Sequence, residues 1–123
     1  MLLKDFYKID ELETVEETTS VTITINKNHE IFKGHFPNNP VMPGVCMMQI
    51  IKEITEDVVD ATLFMEKCSN VKFMALINPD KNNILKLVLN ISEIDGIVKV
   101  KNTTHFEETL ALKLVAYYKR VGE

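Results

Sequence analysis

Apolar and polar positions alternate most cleanly at Val21, Ile23 and Ile25, which are interleaved with Thr22, Thr24 and Asn26. That is the period of a half-buried strand, and strand character is predicted over 14–27. Ahead of it, Leu2, Leu3, Phe6 and Ile9 fall on one face at helical spacing, which predicts a short helix over 2–9. Periodicity is lost over 26–44. Asn26, Asn28, Asn38, Asn39, Gly34 and Gly44 share this stretch with Pro37, Pro40 and Pro43. Prolines so closely spaced exclude a regular helix or a central strand. The segment reads as a long, rigid loop of the kind that carries function. From Val45 to Asp57 there is no Gly or Pro, and Met47, Met48, Ile50, Ile51 and Ile54 crowd together. This predicts a helix that starts after Pro43-Gly44, ends near Asp60, and is apolar on most sides and so buried.

The remainder reads as strands. Residues 62–76 form a long, partly apolar segment, followed by turn signals at Asn78-Pro79-Asp80 and Lys81-Asn82-Asn83. Leu85, Leu87, Leu89 and Ile91 mark a strand over 84–94, and Asp95-Gly96 is a hairpin turn. Strands over 97–107 and 110–120 follow, the last with Leu112, Leu114, Ala116 and Tyr118 on one face. Strand, buried helix, then several antiparallel strands is an α+β meander in which one helix packs against a curled sheet. At 123 residues, the chain has the length of a single domain, residues 1–123.

Composition narrows the function. Hydrophobic residues at 46% and charged residues at 26% fit a soluble globular protein. The net charge of −4 gives no basic stripe for nucleic acid. Asp10, Glu11, Glu13, Glu16 and Glu17 read as a solvated face or loop. The sequence holds neither a membrane-length apolar run nor a basic segment leading into a signal-like apolar stretch, so a cytoplasmic location is expected. Cys46 and Cys68 form no C-x-x-C pair and are expected as free thiols. His29, His35 and His105 are scattered without a carboxylate cluster, so no metal site is expected. His29 reads as a surface-loop residue and His105 as a sheet-face residue.

The stretch Phe32-Lys33-Gly34-His35-Phe36-Pro37-Asn38-Asn39-Pro40-Val41-Met42-Pro43-Gly44-Val45 carries the chemistry. A histidine sits in a rigid turn, and a glycine opens an apolar helix. The N–H groups at a helix start can hold a thioester carbonyl and its developing charge. A neighbouring histidine of near-neutral pKa can take a proton from the adjacent carbon. Met42, Met47, Met48, Met65 and Met74 serve as core filling or as the lining of a flexible acyl channel.

Gly34-His35-Phe36-Pro37 followed by Pro40-Val41-Met42-Pro43-Gly44-Val45 resembles the signature of the bacterial 3-hydroxyacyl-acyl-carrier-protein dehydratases. Val71-Lys72-Phe73 with the turn at Asn78-Pro79-Asp80 is similar to a further region of that family. The resemblance implies a hotdog fold, in which a curved antiparallel sheet wraps a central helix. It implies a homodimer or trimer of dimers, with each acyl tunnel at the dimer interface and no cofactor. His35 would be the base and the Gly44 amide the carbonyl holder, with Val45, Phe36, Pro43 and Met48 around the substrate. The substrate would arrive on acyl carrier protein, an acidic partner for which Lys27, Lys33, Lys52 and Lys72 are candidate contacts.

One departure bears on the chemistry. The family helix carries an acid at the fourth position after Pro-Gly-Val and a glutamine four residues later; this chain has Gln49 and then Glu53. An amide cannot donate a proton to a leaving hydroxyl. Three readings follow. His35 makes both proton transfers while Gln49 orients the hydroxyl; Glu53 reaches the site; or the chain is a silent acyl-binding subunit paired with an active homologue. A hotdog thioesterase is a further alternative. Asn38, where the family usually has glycine, tolerates the left-handed backbone of the turn.

Overall fold

The computed structural model describes residues 5–32 and 41–122. In chain order the elements are β1 (Tyr7–Val15), β2 (Thr18–Ile25), a single 3-10 turn (Glu30–Phe32), α1 (Gly44–Val59), β3 (Leu63–Phe73), β4 (Ile84–Ile94), β5 (Ile97–Phe106) and β6 (Thr109–Arg120). The strands form one six-stranded sheet in the order β1-β2-β4-β5-β6-β3, with every neighbouring pair antiparallel. The chain leaves β2, crosses the concave side of the sheet as α1, and returns to the far edge as β3. This is the hotdog arrangement.

Alternation along the strands builds the core. Val21, Ile23 and Ile25 of β2, Leu85, Leu87 and Leu89 of β4, Val98 and Val100 of β5, and Leu112, Leu114, Ala116 and Tyr118 of β6 are all buried. They face one side because strand side chains repeat every two residues. Asn102 and Thr104 are the buried polar residues of β5: Asn102 Nδ2 donates to the Val88 carbonyl at 3.2 Å and its Oδ1 accepts from Thr104 Oγ1 at 3.0 Å. Curvature comes from irregular register: β1 is bulged between Ile9 and Glu11, and β3 between Met65 and Lys67 and between Ser69 and Lys72. Asn70, inside the last of these, has φ 53°. Each bulge bends its strand and increases the local twist, which lets a flat ladder close over a helix.

Two expectations are corrected. The helix expected over 2–9 is not formed at its C-terminal end, because Tyr7, Lys8 and Ile9 pair with Ile25, Thr24 and Ile23 as the start of β1. The backbone of β2 offers a whole row of partners, which outweighs a short run of helical spacing. The acidic residues Asp10, Glu11 and Glu13 thus lie on an exposed edge strand, where charge discourages pairing with other chains. The second correction concerns α1, which is buried on one side rather than most. Cys46, Met47, Ile50, Ile51, Ile54 and Thr55 are buried, whereas Val45 is 73% exposed and Gln49 and Glu53 are half-buried. The helix stops where expected: Asp60 adopts a left-handed conformation (φ 54°) and its N–H bonds the Glu56 carbonyl, a helix-ending arrangement.

Among the described residues, no helix is long and apolar enough to cross a membrane. Since α1 has no second helix to rest on, its buried isoleucines anchor it to the sheet. Ile54→Ala is expected to lower unfolding stability by about 2–5 kcal/mol, measured by urea denaturation of the full chain; a loss below about 1 kcal/mol would contradict this account of the core.

Candidate active site

The start of α1 is unusual in how little it satisfies itself. Its N-cap is Pro43, in an extended conformation with no side-chain cap. The Pro43 carbonyl accepts from Cys46 N at 3.1 Å and from Met47 N at 3.3 Å. Among the described residues, no group accepts from the amides of Gly44 and Val45, which lie at the positive end of the helix dipole. The segment after β3 fixes this end in place, with Met42 N donating to the Ile77 carbonyl at 2.8 Å and Met74 N to the Ala111 carbonyl at 2.8 Å.

A largely apolar cleft of about 240 Å³ opens at the same point, lined by Met42, Gly44 and Met47, by Phe73, Ala75, Leu76 and Ile77, and by Ala111 and Leu112. Gly44 leaves the space that the Phe73 ring occupies: a Cβ on it would lie 2.7 Å from Phe73 Cζ and push the ring aside. Of the residues expected to meet substrate, Gly44 lines the cleft; Met42 and Met47, offered for the channel, join it. Pro43 caps the helix. Val45 and Met48 lie off the cleft. Of the other two channel candidates, Met74 is exposed beside the cleft and Met65 is half-buried in β3. His35 and Phe36 lie outside the described residues.

Gln49 and Glu53 gather elsewhere. Val45, Gln49 and Glu53 follow one another at four-residue spacing and share a helix face, turned away from the Gly44–Met47 side. Gln49 Nε2 donates to Glu53 Oε2 at 2.9 Å, and Tyr7 Oη donates to Glu53 Oε1 at 2.8 Å. Burial, then the hydrogen bond to Glu53, then the nearby Glu53 and Asp57 charges, push the Tyr7 phenol well above its usual range, so it remains a proton donor in this bond. Tyr7 was hidden in the sequence because it falls inside the stretch with helical spacing. Only the pairing of β1 with β2 carries it to the helix.

Residues 11–112 match the family model described as ApeI-like, ApeI dehydratase. The chain belongs to this dehydratase family. A 3-hydroxyacyl-[acyl-carrier-protein] dehydratase FabZ of Lactobacillus helveticus is 33% identical over 115 residues, covering 85% of this chain and 74% of its own. Among solved structures, the dehydratase heterocomplex ApeI:P from Xenorhabdus doucetiae superposes with TM-score 0.76 at 18% identity, over 92% of this chain and 97% of that one. A hypothetical thioesterase with coenzyme A from Streptococcus pneumoniae reaches TM-score 0.71 at 12% identity, over 98% and 91%. At these identities the two structures establish a shared fold.

In this ApeI-like chain His29 is held by local contacts. His29 Nδ1 accepts from Ile31 N at 3.1 Å and its ring sits edge-on to Phe6 at 5.1 Å. His105 is half-buried on β5. Cys46 and Cys68 are free thiols whose burial pushes them up, which makes them poor nucleophiles. Among the described residues, no cluster of three or more His, Cys, Asp and Glu side chains gathers as for a metal.

Of the lysines expected to meet a carrier, Lys33 lies outside the described residues. Lys72 lies on the outer sheet face directly opposite Lys113. With Lys101 these two line an open hollow of about 570 Å³. The ring of Phe73, which a methyl group on Gly44 would strike, is 57% exposed and has room to swing. Gly44→Ala is therefore expected to cost only about 1 kcal/mol of stability while displacing the ring from the cleft. Thermal denaturation and a crystal structure of the variant check the two halves.

Proposed function

We propose that this chain removes water from a 3-hydroxyacyl thioester, leaving a trans-2-enoyl thioester, in fatty-acid or related acyl-chain biosynthesis. The observation that carries the reading is the uncapped start of α1 opening onto an apolar cleft, directly after the Gly34–Pro37 motif. The Gly44 amide holds the thioester oxygen, and the acyl chain lies along Met42, Met47 and Phe73. Hydrogen bonding at that oxygen stabilises charge developing when the C2 proton leaves. His35 takes the C2 proton, the electron pair forms the C2–C3 double bond, and the C3–O bond breaks. The imidazolium then returns the proton to the departing hydroxyl, which leaves as water. Pro43 precedes the holding amide at the helix start, whereas Val45 and Met48 lie off the cleft within one chain.

Within one chain the cleft and the Gln49–Glu53 pair occupy different faces of α1. A second copy joins them. Val45, Leu76 and Phe73 are 73%, 71% and 57% exposed around the helix start, an apolar surface of the kind covered by a partner. A two-fold contact there would bring Gln49 of one copy toward Gly44 of the other, and would build two equal sites. The working unit is thus a homodimer, alone or within a trimer of dimers. A homologous partner chain in place of the second copy is the alternative. The expected setting is the cytoplasm.

The substrate arrives on an acidic acyl carrier protein. Like charges directly opposite in a sheet are unfavourable, yet Lys72 faces Lys113, and among the described residues no carboxylate pairs with either. An acidic partner surface relieves that repulsion. Lys113→Glu is expected to raise KM for a carrier-bound substrate about 10-fold at low salt, with little change for the coenzyme A thioester. Equal effects on both would remove the carrier from this face.

The deciding assay follows enoyl absorbance with a 3-hydroxyacyl carrier protein as substrate. Wild type should turn over, and His35→Ala should lose at least about 100-fold; retained activity in that variant would sink the assignment. Turnover by Gln49→Glu alone would make the natural chain an acyl-binding subunit. Release of free thiol instead of enoyl product would make it a thioesterase.

A further inference from the structure

The bonds around Glu53 fix more than Glu53 itself. A carboxylate offers only acceptors, so the atom of Gln49 that faces Glu53 Oε2 at 2.9 Å must be its nitrogen. The two heteroatoms of a carboxamide diverge from a common carbon. Committing Nε2 to Glu53 therefore turns Oε1 away from it, as an acceptor with no partner among the described residues. Without a second anchor Glu53 could rotate about its side-chain torsions and release this orientation. Tyr7 supplies the anchor: its hydroxyl takes the other carboxylate oxygen at 2.8 Å, from the first residue of β1.

The anchor is itself well held. Phe6, immediately before it, is fully buried and stacks on Phe32 with ring centroids 5.5 Å apart. The Phe6 carbonyl accepts from Asn26 N at 2.8 Å. The tyrosine ring thus projects from a fixed backbone, and its raised phenol pKa keeps the hydroxyl a donor.

We propose that Tyr7 is a positioning residue: through Glu53 it sets the carboxamide of Gln49 so that Oε1 accepts the hydrogen bond of the substrate 3-hydroxyl. This rests on the dehydratase reading. Its chemical sense is direct. An acceptor that holds the hydroxyl hydrogen leaves the lone pairs of that oxygen open to protonation by His35, the only acid the proposed step requires. Glu53 then orients Gln49 and transfers no proton.

The test separates this role from a staple between β1 and α1. Tyr7→Phe keeps the ring and removes the donor. We expect kcat to fall about 10-fold with KM within about twofold. In a Glu53→Gln background, Tyr7→Phe should add less than about twofold, because both changes break one chain. A simple staple would leave kcat of the folded protein and the Gln49 signals unchanged, its loss explained by unfolding, which thermal denaturation of each variant reveals. A second readout needs no activity. The side-chain amide signals of Gln49 in a ¹⁵N spectrum should shift and exchange faster with solvent in Tyr7→Phe. Unmoved Gln49 signals, or independent effects in the double-mutant cycle, overturn the proposal. An inactive wild type whose Gln49 signals still respond to Tyr7→Phe would remove the dehydratase reading and the catalytic use of the amide, while leaving the orientation of Gln49 by Tyr7 established.

Discussion

Among the described residues α1 is one α-helix without a helical neighbour and must be buried mainly by the sheet, and most of this structure follows from that constraint. A sheet of six strands can cover one helix only if it curls, and the bulges in β1 and β3 supply bends that regular pairing would not. Even so, it reaches around only one side. Ile50, Ile51 and Ile54 are fully enclosed, while the Val45–Gln49–Glu53 stripe remains at the boundary. The helix is therefore held firmly by its apolar face, and its opposite face is available for polar work. An amphipathic helix inside a curled sheet has, by this geometry, a rigid position and an unfinished surface.

That rigidity explains how a helix end can go without a side-chain cap. Pro43 has no hydroxyl or carboxylate to offer the first amides, and an uncapped start ordinarily costs about 1 kcal/mol. Here the end is fixed by other means: Met42 bonds across to Ile77, and the Phe73 ring occupies the space where a side chain on residue 44 would sit. Glycine thus lets the Phe73 ring close against the helix end, whose first two amides have no partner among the described residues and lie at the rim of an apolar cleft.

Much of the fold was legible because long alternating runs have a single reading. The strands over 84–94, 97–107 and 110–120 fall within a residue of the observed β4, β5 and β6, since Asp95-Gly96 fixes one hairpin and apolar alternation fixes the faces. The helix start was set by Pro43-Gly44. The N-terminal segment was misread because four apolar residues at helical spacing are also compatible with an edge strand, and only the long-range partner β2 decides between them. The same error concealed Tyr7. Its contact with Glu53 spans 46 positions, a separation that no local pattern encodes. The helix looked apolar on most sides because its methionines and isoleucines were counted without knowing which face the sheet would reach.

The exchanged glutamine and glutamate gain a physical sense from these contacts. With both oxygens of Glu53 already accepting hydrogen bonds, from Tyr7 and from Gln49, drawing this carboxylate into a proton transfer would break bonds that are partly shielded from water, where replacement partners are scarce. Gln49 has one nitrogen engaged and its oxygen turned elsewhere, so it can accept a hydroxyl hydrogen without breaking anything. An amide in this place does not protonate a leaving group, and the proton demand of the proposed elimination then falls on His35 alone. A base that has just taken a proton from C2 is the nearest available acid for the C3 oxygen, provided that the hydroxyl is held with a lone pair toward it. In the proposed elimination, exchanging the two side chains would shift the helix from supplying a proton to fixing an orientation, which the tyrosine on the first strand would make definite.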